Sequence, residues 1–383
     1  MRIRAAAFLV FFGVLCAIPG YSEAPIAIRS VSISRPFFNP GLGQEVRISF
    51  DLAHAGRLTL LVVDRDGFPV RRLRDDSPVS AGAMSLSWDG RDDRRAVVPD
   101  EAYSFKIDLA GAEGASTYFP ANAVAKDYPV TTQYYDRRSA ILSYQLPSPA
   151  RVHIQAGTAK VGPDKKITPG PVLKTIVNRE PRPAGAVIEN WNGLDEGRAT
   201  YVPDLPGFAV AIAASALPEN AVITTGNRGV SFLEYALRRT GGSLLRLSST
   251  DHAHHHGLSA LEDVAPGLRL VPLNATWSAS SRSWRSEGSS LRISVSLQGP
   301  SSPHFAKQPA ELVVHVDDRL VTTLSAPKDG MTFRIPLRSV APGSHEVAVN
   351  WASAFGPVAV GTCRVNTGAR AERTSAAEGG NQR

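Results

Sequence analysis

The feature that most constrains the fold is an internal repeat with a period of about one hundred residues, centred on a tryptophan turn. Trp88-Asp89-Gly90 in one copy matches Trp191-Asn192-Gly193 in the other. Upstream, Ile48-Ser49-Phe50-Asp51-Leu52 matches Leu142-Ser143-Tyr144-Gln145-Leu146, and Arg57-Leu58-Thr59-Leu60 matches Arg151-Val152-His153-Ile154. Downstream, Val98-Pro99-Asp100 and Val202-Pro203-Asp204 precede the closing segments Tyr103–Ile107 and Phe208–Ile212. Apolar and polar residues alternate in these segments, as half-buried strands require. Asp-Gly and Asn-Gly supply the positive φ of a tight turn, and the preceding Trp has the area to plug one end of a small sandwich. The offset between copies grows from 94 to 103, which places an insertion around Val161 to Pro169, inside a hairpin of the second copy. Short strands separated by turn signals predict an all-β fold of tandem immunoglobulin-like antiparallel sandwiches.

These residues carry a resemblance. Asn39-Pro40, the Ile48–Leu52 strand, Val63-Asp64-Arg65-Asp66-Gly67, Val70-Arg71-Arg72-Leu73, Ala81-Gly82, Trp88-Asp89-Gly90-Arg91-Asp92 and Val98-Pro99-Asp100 together resemble the Ig-like domain of the flagellar hook-cap scaffold protein. The match covers about 35–110, and about 131–216 as a degraded copy. In the second copy Ala156-Gly157-Thr158 replaces the Val-Asp strand and the Asp-Gly turn is lost; in the first, Glu101-Ala102 stands where the family commonly has a Gly before the closing strand. The resemblance implies a spacer or assembly unit of bacterial exported proteins. It does not imply the hook-cap role, because the hook-binding segments are not visible here.

Alternation loosens over about 227–275, where Phe232 to Arg239 reads as a short helix or strand, and returns from Leu291 onward. Val316-Asp317-Asp318-Arg319 reads as a hairpin with a two-residue turn, and Pro342-Gly343 before a further strand is similar to the closing half of bacterial Ig-like or fibronectin-like modules. The expected organisation is a signal peptide at 1–24, sandwiches at 25–115 and 116–226, an irregular linker at 227–275, a third sandwich at 276–367 and a disordered tail at 368–383. Arg2 and Arg4 followed by the apolar stretch Ala5 to Ile18 are the basis for the signal peptide, with cleavage near Ala24. The mature chain is expected to be exported to the periplasm or cell surface, with no transmembrane segment. Cys16 leaves with the signal, so Cys363 stays unpaired and is expected as a buried strand residue.

The densest cluster of chemistry is Asp251-His252-Ala253-His254-His255-His256. Imidazoles at alternate positions of an extended segment, His252, His254 and His256 with His255 beside them, are a candidate Zn or Cu site. A solvated polar loop explains the same residues. Asp64-Arg65-Asp66-Gly67 and Asp89–Asp93 resemble fragments of calcium loops, yet both lack a terminal bidentate Glu, and turn chemistry accounts for them. No GxSxG motif or Cys–His pairing points to nucleophilic catalysis. Trp277 and Trp284 are strand residues or a carbohydrate-stacking platform. The formal charge of +7 comes as scattered basic pairs, compatible with an anionic polysaccharide but carrying no nucleic-acid motif. The expected role is therefore a non-enzymatic adaptor binding an envelope or surface protein, with metal or glycan binding as the alternative.

Overall fold

A computed structural model of the chain describes residues 27–122, 127–130, 133–239, 259–338 and 340–368. Residues 1–24, expected as a signal peptide, His252, His254, His255, His256 and the residues beyond 368 lie outside the described residues.

Module 1 packs a three-stranded sheet against a six-stranded one. The small sheet orders Ile28–Ile33, Val46–Leu52 and Gly82–Trp88 side by side. The larger runs Phe37–Phe38, Val222–Thr224, Ala102–Gly111, Gly56–Val63, Pro69–Val79, with Gly114–Tyr118 also paired to Ala102–Gly111. Alternation in the sequence becomes alternation of burial: in Val46–Leu52 the residues Val46, Ile48, Phe50 and Leu52 face inward and meet Leu58, Leu60, Val62, Phe105, Ile107 and Leu109 from the opposite sheet. Module 2 sets Gln133–Asp136, Ile141–Leu146 and Gly185–Asn190 against Ile167–Arg182, Ala150–Val161, Phe208–Ala216 and Asp127–Pro129, around Leu142, Tyr144, Val152, Ile154 and Ile212. Module 3 sets Gly267–Pro272, Ser290–Gln298 and Thr332–Pro336 against a six-stranded sheet. Ala310–Val316, Gly343–Ser353 and Val358–Thr367 are its centre and Trp351 lies in its core. The all-β sandwich architecture expected from the repeat is thus present. Cys363 is buried in a strand, paired across to Val347.

The repeat is structural down to single hydrogen bonds. Trp88 is buried and its Nε1 donates to the Arg91 carbonyl at 2.9 Å; Trp191 is buried and donates to the Leu194 carbonyl at 2.9 Å. In module 1, Asp92 Oδ1 accepts from the backbone N–H of Arg94 and Ala96; in module 2, Asp195 Oδ1 accepts from Ala199 and Thr200. Each loop closes on the turn glycine, Val98 N–H to the Gly90 carbonyl at 3.0 Å and Val202 N–H to the Gly193 carbonyl at 2.8 Å. Both glycines have positive φ, 70° and 78°. A Cβ would come within 2.2 Å of Pro40 at Gly90 and of Tyr201 at Gly193, so no other residue fits.

Two segments pair differently from the expected organisation. Val222–Thr224, read with the second unit, returns to module 1, antiparallel to Ala102–Gly111 and parallel to Phe37–Phe38. It covers a sheet edge that would otherwise leave backbone groups unpaired. Helix α1 (Phe232–Arg239) follows and lays Tyr235 on the module 1 core. Gly267–Pro272, read as linker, is a full partner of Ser290–Gln298 in module 3. The insertion around Val161 lengthens a hairpin whose strands pair from Ala150↔Arg182 out to Val161↔Ile167. Among the described residues no helix is long and apolar enough to cross a membrane.

Candidate functional site

The polar residues that sequence patterning assigns no task to gather at the two joints between modules. At the first joint, strand ends of modules 1 and 2 meet the short helix α2 (Ala260–Asp263). Asp263, 2% exposed, receives Arg65 of module 1 at 2.7 Å and Arg179 of module 2 at 3.3 Å. Arg179 also reaches Asp127 at 3.2 Å, and Arg151 of module 2 pairs with Glu101 of module 1 at 2.6 Å. Asp66 Oδ1 accepts the Ala260 N–H at 2.9 Å, and Asn178 Nδ2 donates to the Ala265 carbonyl at 2.8 Å. Behind them Asp64 accepts backbone N–H groups of Asp66 and Phe68 and pairs with Arg239 of α1. Burial raises the Asp64 carboxyl to about 6 against the pull of Arg239, and it likewise raises Asp66 against Arg65. Burial, followed by repulsion from Arg179, holds the neighbouring His153 imidazole down at about 4, so it is neutral at pH 7.

In this arrangement the acidic loops turn toward the joint and the core. Asp64 and Asp66 face guanidinium and backbone N–H groups, and Asp92 organises the tryptophan turn, with its Oδ2 accepting from the Tyr235 hydroxyl at 3.2 Å. Among the described residues no group of three or more His, Cys, Asp or Glu side chains is arranged to hold a metal ion.

The second joint links modules 2 and 3. Asn350 acts like a short strand: its Oδ1 accepts the Val172 N–H at 2.9 Å and its Nδ2 donates to the Val172 carbonyl at 2.8 Å. Thr362 Oγ1 accepts from the Gly197 N–H at 2.7 Å and donates to Asp195 Oδ2 at 2.6 Å. A Cβ on Gly197 would stand 2.5 Å from the Thr362 carbonyl, so the chains touch backbone to backbone here. Glu346 accepts from Thr200 Oγ1, which in turn accepts from Arg364 at 3.0 Å. Trp191, Leu173 and Val202 pack on Ala348 across the joint, and the tip of the long hairpin adds Lys160–Asp318 at 2.8 Å. Burial, and secondarily the Asp195 carboxylate, pushes Glu346 up to about 8.

A third feature is the hairpin of Thr276–Ser278 and Ser283–Ser286. Trp277 and Trp284 are cross-strand partners with ring centroids 5.3 Å apart, and Trp277 remains 49% exposed. Both are strand residues: Trp284 packs on the module 3 core while Trp277 keeps an exposed face.

Sequence reasoning missed Arg151, Arg179, Asp263, Glu346 and Asn350. The available signal was local: Glu346 and Asn350 flank the apolar run Val347–Val349 in a strand buried on both faces, where an unpaired polar side chain is costly.

No family model and no curated protein matches the chain. Among solved structures it is similar to a 1.5-MDa bacterial ice-binding adhesin studied for host cell surface retention, at 10% identity over 91% of this chain and 99% of that one, with a TM-score of 0.19. It is similar to the fibronectin(III)-like modules of Clostridium thermocellum CbhA at 8% identity, over 88% of this chain and 94% of that one, with a TM-score of 0.17. A Jonesia denitrificans lytic polysaccharide monooxygenase aligns at 14% identity over 34% of this chain and 92% of its own, with a TM-score of 0.18. Similarity at this level carries no argument about activity.

Proposed function

We propose that the chain is a non-enzymatic, exported adaptor of the bacterial cell envelope that holds its sandwiches at set angles and presents their outer edges to a protein partner. The observation that carries this reading is the construction of the joints. A string of independent spacers needs only a polar linker between modules, whereas here buried ion pairs and side-chain amides on strand backbone tie each module to the next. Paired buried charges contribute little net stability compared with an apolar contact, but they penalise every misaligned arrangement, because any slip leaves a charge unpaired. That suits a part whose output is geometry. Export rests on the basic start and apolar stretch from Arg2 to Ile18.

In-cell cross-linking of the tagged full-length chain in its native bacterium, followed by fractionation, tests the proposal. The expected result is recovery in the envelope fraction with one recurrent protein partner. The same partner should be lost when Asp263→Ala loosens the first joint. Recovery in the cytoplasmic fraction, or a partner set indifferent to the joint, would count against it.

A second reading is favoured by the free face of Trp277: a glycan stacked on the Trp277–Trp284 hairpin, whose turn carries Ser280, Ser281 and Arg282. Loss of retention on an acidic polysaccharide column in Trp277→Ala would support it.

A further inference from the structure

The outward face of the small sheet of module 3 carries charge of one sign only. Its strands Gly267–Pro272, Ser290–Gln298 and Thr332–Pro336 contain three arginines, Arg269, Arg292 and Arg334, and no Asp, Glu or Lys. The alternation that sends Ile293 and Phe333 into the core turns all three arginines outward, where all three are exposed. Arg292 is the direct cross-strand partner of Arg334, so two like charges stand on Cα atoms about 5 Å apart. Arg269 pairs with Ser296, on the same strand as Arg292, which sets it about 14 Å along the sheet from that pair. Ser294, Ser296 and Thr332 place hydroxyls on the same face between them.

None of the three guanidinium groups makes an ion pair or a hydrogen bond with a described residue. Like charges directly opposite one another weaken a strand pair. The small sheets of the other modules avoid them: module 1 sets Arg29 opposite Asp51, and module 2 carries Asp136 and Glu189 with no basic residue. The carboxylate of Asp329, in the loop before Thr332, is turned to the Leu297 N–H at 2.8 Å. The repulsion on the module 3 face is thus uncompensated within the described residues, and a ligand that brings negative charge would relieve it.

We propose that this face binds a linear acidic polysaccharide, with one uronate carboxylate between Arg292 and Arg334, a second at Arg269, and sugar hydroxyls on Ser294, Ser296 and Thr332. Guanidinium groups suit carboxylates because the planar fork donates two parallel hydrogen bonds to the two oxygens. The spacing favours a chain over a small anion, since a single ion satisfies the Arg292–Arg334 pair and only repeated charges reach Arg269 as well. Other polyanions match the face less well. Single-stranded nucleic acid needs aromatic side chains on which its bases stack, and the outward face has none. Anionic membranes are held by clusters of about four to eight basic residues. A protein interface is anchored by a central apolar or aromatic side chain, where this face has serine and threonine. The site is independent of the protein-partner reading and of the Trp277–Trp284 hairpin, which is hydrogen-bonded into the opposite sheet.

Isothermal titration of the full chain with a polygalacturonate oligomer, and with the same oligomer methyl-esterified, tests the assignment. Saturable binding of the acid and none of the ester is expected, weakening as salt rises from about 50 to about 300 mM. Arg292→Thr/Arg334→Thr should weaken binding about tenfold or more, and Arg269→Thr severalfold. Arg292→Lys/Arg334→Lys keeps the charge without the fork and should fall between. Because Arg292 and Arg334 repel one another in the free protein, Arg334→Thr should leave the melting temperature unchanged or raise it, which separates lost binding from lost folding. Removing two exposed charges elsewhere, in Arg94→Ala/Lys166→Ala, should leave binding within about twofold. Equal binding of the methyl ester, no saturable binding of the acid at about 50 mM salt, or equal losses in the arginine and Arg94/Lys166 variants would each overturn the proposal. So would a lowered melting temperature in Arg334→Thr, or binding lost in Trp277→Ala and kept in the arginine variants. Tighter binding of an oligothymidylate or of phosphatidylserine vesicles through the same arginines would also overturn it and reassign the face to phosphate.

Discussion

Trp88 shows at the residue scale how one side chain organises a module. Its ring meets Phe38, Tyr103 and Phe105 edge-on at 5.2–6.5 Å, and its Nε1 fixes the turn that follows. Trp88→Ala empties the centre of the module 1 core and is expected to cost about 3–5 kcal/mol, measured by denaturant unfolding. Trp191 does the same work in module 2 but also supports Ala348 of module 3, so Trp191→Ala should loosen the second joint as well. Two of the buried titrating groups, Glu346 and His153, contribute opposite pH slopes. Glu346 has a folded value of about 8, far above that of an unfolded glutamate, so the folded state binds the extra proton. Its contribution is fully present below about pH 4.5 and is lost as pH rises to about 8, on the order of 5 kcal/mol in all. His153 is depressed to about 4, so the unfolded state binds the extra proton. Its contribution is present above about pH 6.5 and is lost as pH falls towards 4, about 3 kcal/mol. In melting temperatures followed from pH 4 to 9, the part of the pH dependence lost in Glu346→Gln should be a decline between about pH 4.5 and 8, and the part lost in His153→Gln a rise between about pH 4 and 6.5.

At the scale of elements, the long hairpin and the strand Gly343–Ser353 carry the second joint. Asn350→Ala leaves the Val172 N–H and carbonyl facing an apolar gap, and a buried backbone group without a partner costs about 1–3 kcal/mol. Asn350→Ala should lower stability by that amount, and backbone amide exchange at Val172 should accelerate specifically. The same elements show where sequence patterning reaches and where it stops. Val46–Leu52, Ile141–Leu146 and the Asp317-Asp318 turn were legible because period-2 burial and positive-φ turn chemistry are written in adjacent residues. Val222–Thr224 was not legible, since three residues display no period and its partner Ala102–Gly111 is over a hundred positions away. Gly267–Pro272 was hidden by the loose pattern around it. Of the candidate sites, the histidines 252–256 lie outside the described residues, and the residues the structure does bring together are Arg and Asp pairs such as Arg65–Asp263, 198 positions apart. Single charged residues in a chain with 42 basic and 35 acidic side chains give no sign of which will meet.

The whole molecule is one path of contacts in which module 2 sits between a returning chain and module 3. Chain order does not explain this, because after completing module 2 the backbone goes back to module 1 through Val222–Thr224 and α1, and α2 then reaches Asp66, Arg65 and Arg179. Asp263 is the keystone of the first joint, since its single carboxylate pairs with a guanidinium from each module. Removing it leaves Arg65 and Arg179 buried with a partner lost, a change that costs about 3–5 kcal/mol when a buried pair is broken. The loss falls on the joint and spares the cores, whose apolar residues it does not touch. In calorimetry the unsubstituted chain should therefore unfold modules 1 and 2 in one transition, and Asp263→Ala should split it into two at separate temperatures. Small-angle scattering below the first transition should show a broader distribution of maximum dimensions for Asp263→Ala while circular dichroism stays that of a β protein. A single unsplit transition with unchanged scattering would mean that the buried charges do not set the angle between modules, and the adaptor reading would lose its physical basis. Asp263→Asn separates charge from shape: the amide keeps the volume and one acceptor, so an intermediate splitting identifies the ion pairs, and not side-chain packing, as what aligns the sandwiches.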